Sequence, residues 1–221
     1  MRALKTDSID FSILQDWMSF CKDKHTGGCN ISQQDEGRIG LKVIDCETLM
    51  LVDLGDLEYL TLSYQWGVGE KAPEYSIALP NLGSLPATIR DSITATLKLG
   101  YRYIWIDRYC IDQSNIKDAM RQIQKMDIIY RHSEATLIAV GGTGPSYGLP
   151  GVSERQRQMQ YRFQFGDKEF VGPIHFVDGV VNKSRWGTRG WTFQEGALSR
   201  RRFIFTDQQV YFECHEMCCY E

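Results

Sequence analysis

Between residues 59 and 140 the chain alternates short apolar runs with longer amphipathic stretches, and few folds accommodate that alternation. Tyr59-Leu-Thr-Leu-Ser63, Tyr103-Ile-Trp-Ile-Asp107 and Ala135-Thr-Leu-Ile-Ala-Val140 read as strands. Between the first two, Leu85-Pro86-Ala-Thr-Ile-Arg opens a helix with proline in its first turn. Ile89, Ile93 and Leu97 form its buried stripe and Gly100 its stop. Between the second and third, one long helix is predicted from about Asn115 to His132, with Ile116, Met120, Ile123, Met126 and Ile129 on or near one face. Strand, helix, strand, helix, strand is the pattern of a parallel sheet with right-handed crossovers. Arg202-Phe-Ile-Phe205 and Gln209-Val-Tyr-Phe-Glu213 supply two final strands.

The flanks carry less periodic information. Phe11, Leu14, Trp17, Met18 and Cys21 recur at helical spacing, which predicts a helix over 8–22 with Ser8 or Asp10 as its cap. Segments 41–46 and 48–53 look like a hairpin. Residues 143–185 are rich in Gly and Pro and then in charge, and Phe163 to Phe170 resembles a small hairpin around Gly166-Asp167; this region reads as an insertion. The expected organisation is an N-terminal helical extension over 1–40 and one α/β domain over 41–221.

Charge and hydropathy narrow the class. A formal charge of −3 argues against a nucleic-acid binder that relies on a basic face. No apolar run approaches the roughly 18 residues of a membrane span. The first residues lack the apolar stretch of a secretory signal, so the expected compartment is the cytoplasm. No Gly-x-x-x-x-Gly-Lys loop supports nucleoside-triphosphate hydrolysis.

Seven cysteines are an odd count, which speaks against a closed disulfide framework. Cys21-x3-His25-x3-Cys29 and Cys214-His215-x2-Cys218-Cys219 have the residue types of a zinc site joining the two ends of the chain, but neither spacing is a standard finger. Unligated thiols are the preferred reading, with no metal expected. Cys46 and Cys110 sit in apolar contexts typical of core thiols.

The candidate site lies where the strands open into polar residues. Ser63, Tyr64, Trp66 and Gly67 follow the first strand, where a glycine turn lets backbone approach a ligand and either aromatic ring can stack on a base. The competing reading is an aromatic plug over the sheet edge. Asp107 and Arg108 follow the next strand, with Asp112 and Gln113 close behind. Asp107 can hold a ribose hydroxyl or simply fix the turn. Arg189-Gly-Trp191-Thr-Phe-Gln-Glu195 places an acid one turn beyond an indole on a short helix. Glu195 is the catalytic candidate, with Trp191 walling the crevice; the alternative is a surface residue paired with Arg189 or Arg200. Arg200-Arg-Arg202 can meet a pyrophosphate or form a solvated face.

Taken together, Leu62-Ser-Tyr-Gln-Trp-Gly67, Leu85-Pro-x-Thr-Ile-x-Asp91, Tyr103-Ile-Trp-Ile-Asp-x-x-Cys-Ile-Asp-Gln113, Gln122-Ile-x-x-Met126-x-x-Ile-Tyr130, Arg189-Gly-Trp-Thr-x-Gln-Glu195 and Phe212-Glu-Cys214 resemble the heterokaryon-incompatibility (HET) domain of filamentous fungi. One departure is Asp118-Ala119, where the family commonly carries a Glu-Arg pair. HET domains are in turn similar to TIR domains. That resemblance implies a TIR-like, flavodoxin-like, mostly parallel sheet flanked by helices. It also implies a role in non-self recognition leading to programmed cell death. In TIR enzymes the glutamate matching Glu195 is required to cleave NAD at the nicotinamide–ribose bond. The implied function is therefore an NAD nucleosidase, with NAD as substrate and no further cofactor. Self-association into oligomers and an upstream activating protein are the partners so implied. The alternative is a non-catalytic self-association module.

Overall fold

The computed structural model describes residues 4–30, 40–67, 69, 73–171 and 177–221, with only the backbone of residues 169, 177, 178, 191, 193 and 194. The elements run α1 (Phe11–Lys24), β1 (Lys42–Asp45), β2 (Met50–Asp53), β3 (Tyr59–Ser63), α2 (Ala87–Lys98), β4 (Tyr103–Trp105), α3 (Asp107–Cys110), α4 (Ile116–Ile123) and α5 (Met126–His132). They continue with β5 (Ala135–Ala139), β6 (Arg162–Phe165), β7 (Lys168–Val171), α6 (Val177–Lys183), α7 (Gly190–Leu198), β8 (Arg201–Phe205), β9 (Val210–Cys214) and β10 (Cys218–Tyr220).

The described residues form an eight-stranded mixed sheet in the order β10-β9-β8-β5-β3-β4-β1-β2. Its centre is parallel: β3 pairs with β4 and β5, and β5 with β8. Every residue of β3 and of β5 is buried. Parallel strands covered on both faces need such unbroken runs, and alternation would leave polar side chains inside. Antiparallel strands close both ends, β1 and β2 beyond β4, β9 and β10 beyond β8.

The first crossover, through α2, steps from β3 to β4. The second, through α5, steps back past β3 to β5. Right-handed crossovers in opposite directions place these helices on opposite faces of the sheet. α1 lies beside α2, where Gln15 donates to the Lys98 carbonyl at 2.8 Å and Lys98 sits over the Phe11 ring. α1 also reaches β9 through Trp17 and Phe212, whose rings are 6.3 Å apart. α5 packs against α7 on the other face.

The stretch predicted as one helix from 115 to 132 is two. Gln124 and Lys125 interrupt it, and the axis restarts at Met126. The break turns α4 over: Ala119 and Gln122 face inward, while Ile116, Met120 and Ile123 are 69%, 62% and 43% exposed. The Gln122 side-chain N–H donates to Asp118 at 2.8 Å, which satisfies the nitrogen end of this buried amide. Only Ile129, beyond the break, joins the core from that stripe as a buried residue. The insertion contains the expected hairpin, β6 and β7 around Gly166, together with α6, which the sequence pattern did not reveal. Helix α3 and strand β10 are likewise too short for periodicity to show. Among the described residues no helix is long and apolar enough to cross a membrane.

These placements fix a contrast in stability. Ile93, fully buried, should cost about 2–5 kcal/mol when cut to alanine, whereas Ile116→Ser should stay within about 0.5 kcal/mol. Urea denaturation of the two variants measures both values. Comparable losses at the two positions would contradict the outward orientation of α4.

Candidate active site

Glu195 is carried by α7, and a chain of buried hydroxyls ties that helix to the sheet. The Ser199 hydroxyl donates to the Glu195 carbonyl at 2.7 Å, and Thr136 Oγ1 lies 2.5 Å from Ser199 Oγ. Thr61 Oγ1 lies 2.7 Å from Thr136 Oγ1. Each hydroxyl has one proton, so the donation at Ser199 sets the direction of the rest: Thr61 to Thr136 to Ser199 to the helix backbone. The helix therefore sits at a defined height over β3 and β5.

Its side chain is held as closely. The Ser63 hydroxyl donates to Glu195 Oε2 at 2.5 Å and accepts from the Trp186 indole N–H at 2.8 Å. Tyr130, from α5, hydrogen-bonds the same carboxyl group. A Cβ added to Gly196 would stand 3.0 Å from the Trp186 ring, so glycine there lets the indole lie against α7. The Thr192 hydroxyl donates to the carbonyls of Trp186 and Arg189, closing the turn that returns the chain to this helix.

A cavity of about 350 Å³ opens above this carboxylate. Tyr64, Trp66, Ile111, Ile123 and Met126 give it aromatic and apolar walls, and Asp107, Glu195, Gln113, Thr192 and Arg189 its polar groups. It lies at the C-terminal ends of β3 and β4, where the crossover leaving β3 and the one leaving β4 run in opposite directions. That is where open α/β sheets leave a crevice. Asp107 is fixed by two donors, its neighbour's backbone N–H at 2.6 Å and the Trp66 indole N–H at 2.8 Å. Arg108 stacks over the Trp66 ring at 5.7 Å.

Burial dominates the electrostatics. It pushes the Glu195 carboxyl up to about 8, against the Ser63 and Tyr130 hydrogen bonds, and the nearby Asp107 charge raises it further. Burial likewise pushes Asp107 up to about 6, opposed mainly by the Arg108 N–H and Trp66 hydrogen bonds. Arg189, exposed at the rim, pulls both down. Two carboxyl groups in an aromatic cavity, both held above their ordinary range, favour a cationic ligand, which would restore their charges.

The cavity brings together Tyr64, Trp66, Asp107, Gln113 and Glu195 of the residues singled out from sequence. Ser63 acts from beneath through Glu195, and Arg108 stands behind Trp66. Gly67, at φ 90°, forms the turn after the aromatic pair rather than a wall. The Trp191 side chain lies outside the described residues. Glu195 is 8% exposed, which overturns the surface-residue alternative. Neither reading of Arg200-Arg-Arg202 holds. Arg200 and Arg201 are buried and bonded to the carbonyls of Cys29, Ser133 and Glu134, and Arg202 pairs with Glu213 at 3.0 Å. Trp186 was not foreseen, and Tyr130 entered only as the last residue of a family motif, with no role attached. Trp186 sits in an irregular segment without periodicity, and Tyr130 reads as one more residue on a helix.

Away from this cavity, Cys46 and Cys110 are buried core thiols, and Cys110 accepts the Ile106 N–H at 3.3 Å. Cys21, His25, Cys29 and Cys214 converge on one point, while Cys218 and Cys219 lie on β10 outside it.

Comparison with known proteins agrees with the sequence resemblance. The profile of the family described as "Heterokaryon incompatibility protein (HET)" matches residues 59–195, which runs from the first residue of β3 to the buried glutamate. The chain is 28% identical over 142 residues to "Vegetative incompatibility protein HET-E-1" of Podospora anserina, an alignment covering 62% of this chain and 9% of that protein. The chain thus spans a small part of that relative's length. No solved structure matches. With more than half its residues inside the family profile, the chain belongs to the heterokaryon incompatibility (HET) family.

Proposed function

We propose that this HET domain is a TIR-like NAD nucleosidase whose catalytic residue is Glu195, acting in non-self recognition that leads to cell death. The observation that carries the reading is the cavity itself: a buried carboxylate under aromatic walls, sized and charged for a heteroaromatic cation. Nicotinamide in NAD is such a ring. The order of the parallel strands, with the first strand inside and the second at one end, is that of flavodoxin-like sheets and supports the TIR-like assignment. A second cavity of about 700 Å³ opens beyond β5 and β8 on the same sheet edge, with Lys183 and Arg185 in its lining against one carboxylate, Asp207, which accepts from Tyr147 at 2.7 Å. That charge suits the pyrophosphate half of the molecule.

The chemistry needs little else. The bond from C1′ to the pyridinium nitrogen breaks, its electron pair stays with nicotinamide, and the neutral ring leaves without a general acid. The ribose becomes oxocarbenium-like, and water adds to C1′ and releases its proton to solvent. A carboxylate that hydrogen-bonds the ribose hydroxyls stabilises the positive charge as it develops. In the free protein Glu195 is largely protonated at neutral pH. Cation binding lowers its pKa, so the group is ionised when substrate is present. Ser63 and Tyr130 orient it, and Trp66 and Tyr64 offer stacking faces to the ring.

Self-association is the second part of the proposal, and the exposed Ile116, Met120 and Ile123 stripe supports it. An apolar stripe at i, i+4 and i+7 beside the cavity rim is a surface that a second copy would cover. A non-catalytic module would use the same stripe, so catalysis is the discriminating measurement.

Glu195→Gln should keep the Ser63 contact and lose on the order of 100-fold or more in nicotinamide release, about 3 kcal/mol of barrier. The loss will not come from unfolding. A carboxyl raised from 4.5 to about 8 binds a proton in the native state that the unfolded chain lacks, so wild type loses stability as pH rises from 4.5 to about 8. The glutamine variant omits that component, about 1.4 kcal/mol per pH unit at most, and should melt no lower than wild type at pH 8. Wild-type turnover in the variant would refute the assignment.

The pH profile has a sign. Because kcat/KM reports the free enzyme, it should rise about tenfold per unit up to about pH 8 and then level. A rate that is flat or falling from pH 6 to 8 would exclude an ionised Glu195 as the active form. Specific activity should also rise with protein concentration, as mass action requires of an active assembly. Constant specific activity across a wide dilution series, with monomer by light scattering, would remove the self-association proposal.

A further inference from the structure

We propose that Cys21, His25, Cys29 and Cys214 form a structural zinc site that staples α1 to the end of β9. Their ligand atoms all lie within 4.8 Å of one another. His25 Nδ1 stands 3.7 Å from Cys29 Sγ and 3.4 Å from Cys214 Sγ. Tetrahedral zinc, with bonds of about 2.3 Å to sulfur and about 2.0 Å to nitrogen, separates sulfur from nitrogen by about 3.5 Å and sulfur from sulfur by about 3.8 Å. Both His25 distances match that S–N edge, and no pair of ligand atoms lies more than about 1 Å beyond the S–S edge.

The local chain presents these atoms deliberately. Cys21 is in the last turn of α1 and His25 ends that helix, its N–H bonded to the Cys21 carbonyl, so both ligands fall on one side. The turn through Gly27 and Gly28 brings Cys29 back, with Asn30 donating to the His25 carbonyl at 2.6 Å. Cys214 is the last residue of β9. Cys21, His25 and Cys29 are buried and Cys214 is half-buried.

Charge balance favours the metal. Three thiolates, a neutral imidazole and Zn²⁺ leave one negative charge. The Arg201 guanidinium, 1% exposed, donates to Cys21 Sγ at 3.1 Å and supplies the counter-charge. Arg200 fixes the Cys29 backbone by donating to its carbonyl at 3.1 Å. Outer hydrogen bonds of this kind orient ligands in metal sites. A disulfide would use two of the three sulfurs and leave an imidazole aimed at them without purpose. Three sulfurs and one nitrogen in a closed tetrahedron select zinc over magnesium or calcium, which take oxygen, and over an iron–sulfur cluster, which takes cysteines. None of the four ligands lines the cavity that holds Glu195.

The test is metal analysis of the full chain, purified under reducing conditions without chelator. About one zinc per chain is expected, falling at least tenfold in Cys29→Ser and Cys214→Ser and unchanged in Cys218→Ser. If the ligand variants fail to fold, cobalt exchange into wild type decides: an intense visible ligand-field band of tetrahedral cobalt and a thiolate charge-transfer band near the ultraviolet support the site. Chelator should also lower the melting temperature of wild type. Less than a tenth of a zinc per chain with no cobalt bands overturns the proposal. So does stoichiometric zinc that survives both ligand variants, or a disulfide within the quartet found by peptide mapping of protein purified without reductant.

Discussion

The 2.5 Å bond from Ser63 to Glu195 joins the end of the central strand to the helix on which the proposed chemistry depends. A carboxyl group at that depth is unfavourable when charged, and the structure answers with directed donors instead of a paired cation. Ser63 and Tyr130 hold it from two elements, and Trp186 holds Ser63. Arg189, the cation that influences it most, stays exposed at the rim. A buried salt bridge here would ionise Glu195 permanently and fill the space a cationic ligand needs. The protein instead keeps the group poised near neutrality.

That poise depends on geometry set far from the cavity. The hydroxyl chain from Thr61 through Thr136 and Ser199 crosses from β3 to β5 and ends on the backbone of Glu195 itself. On the same face, the Tyr59 hydroxyl donates to the Ile129 carbonyl at 2.7 Å, locating the helix that carries Tyr130. Strand, helix and carboxylate are therefore positioned by polar contacts inside an otherwise apolar core. Buried networks of this kind are worth having only when every member is satisfied. These members are.

The parallel centre of the sheet was legible because strands buried on both faces must be apolar runs, and Tyr59–Ser63 and Ala135–Ala139 are such runs. The candidate site was legible for a related reason: polar residues that interrupt an apolar strand end mark the sheet edge where ligands bind. Tyr64, Trp66, Asp107 and Glu195 were found that way, Glu195 with the help of family resemblance. Periodicity failed where it was answered by something other than the core. Ile116, Met120 and Ile123 repeat as a buried stripe would, yet the break at Gln124 and Lys125 turns them outward. Arg200 and Arg201 read as solvated charge, yet their partners are backbone carbonyls and Glu134, which no local pattern announces. The cysteine and histidine spacing showed possible ligands, but only the fold selects Cys214 and sets aside His215, Cys218 and Cys219.

The most direct test of the central claim is the titration of Glu195 itself. Its δ-carbon shift can be followed by ¹³C NMR and assigned by difference from Glu195→Gln, with and without 1-methylnicotinamide, a cation that lacks the ribose bond. The expected midpoint is about 8 in the free protein, moving to lower pH as the cation saturates the cavity. A midpoint near 4.5, unmoved by the cation, would mean a carboxylate open to solvent and indifferent to the ligand, and would contradict the proposed site.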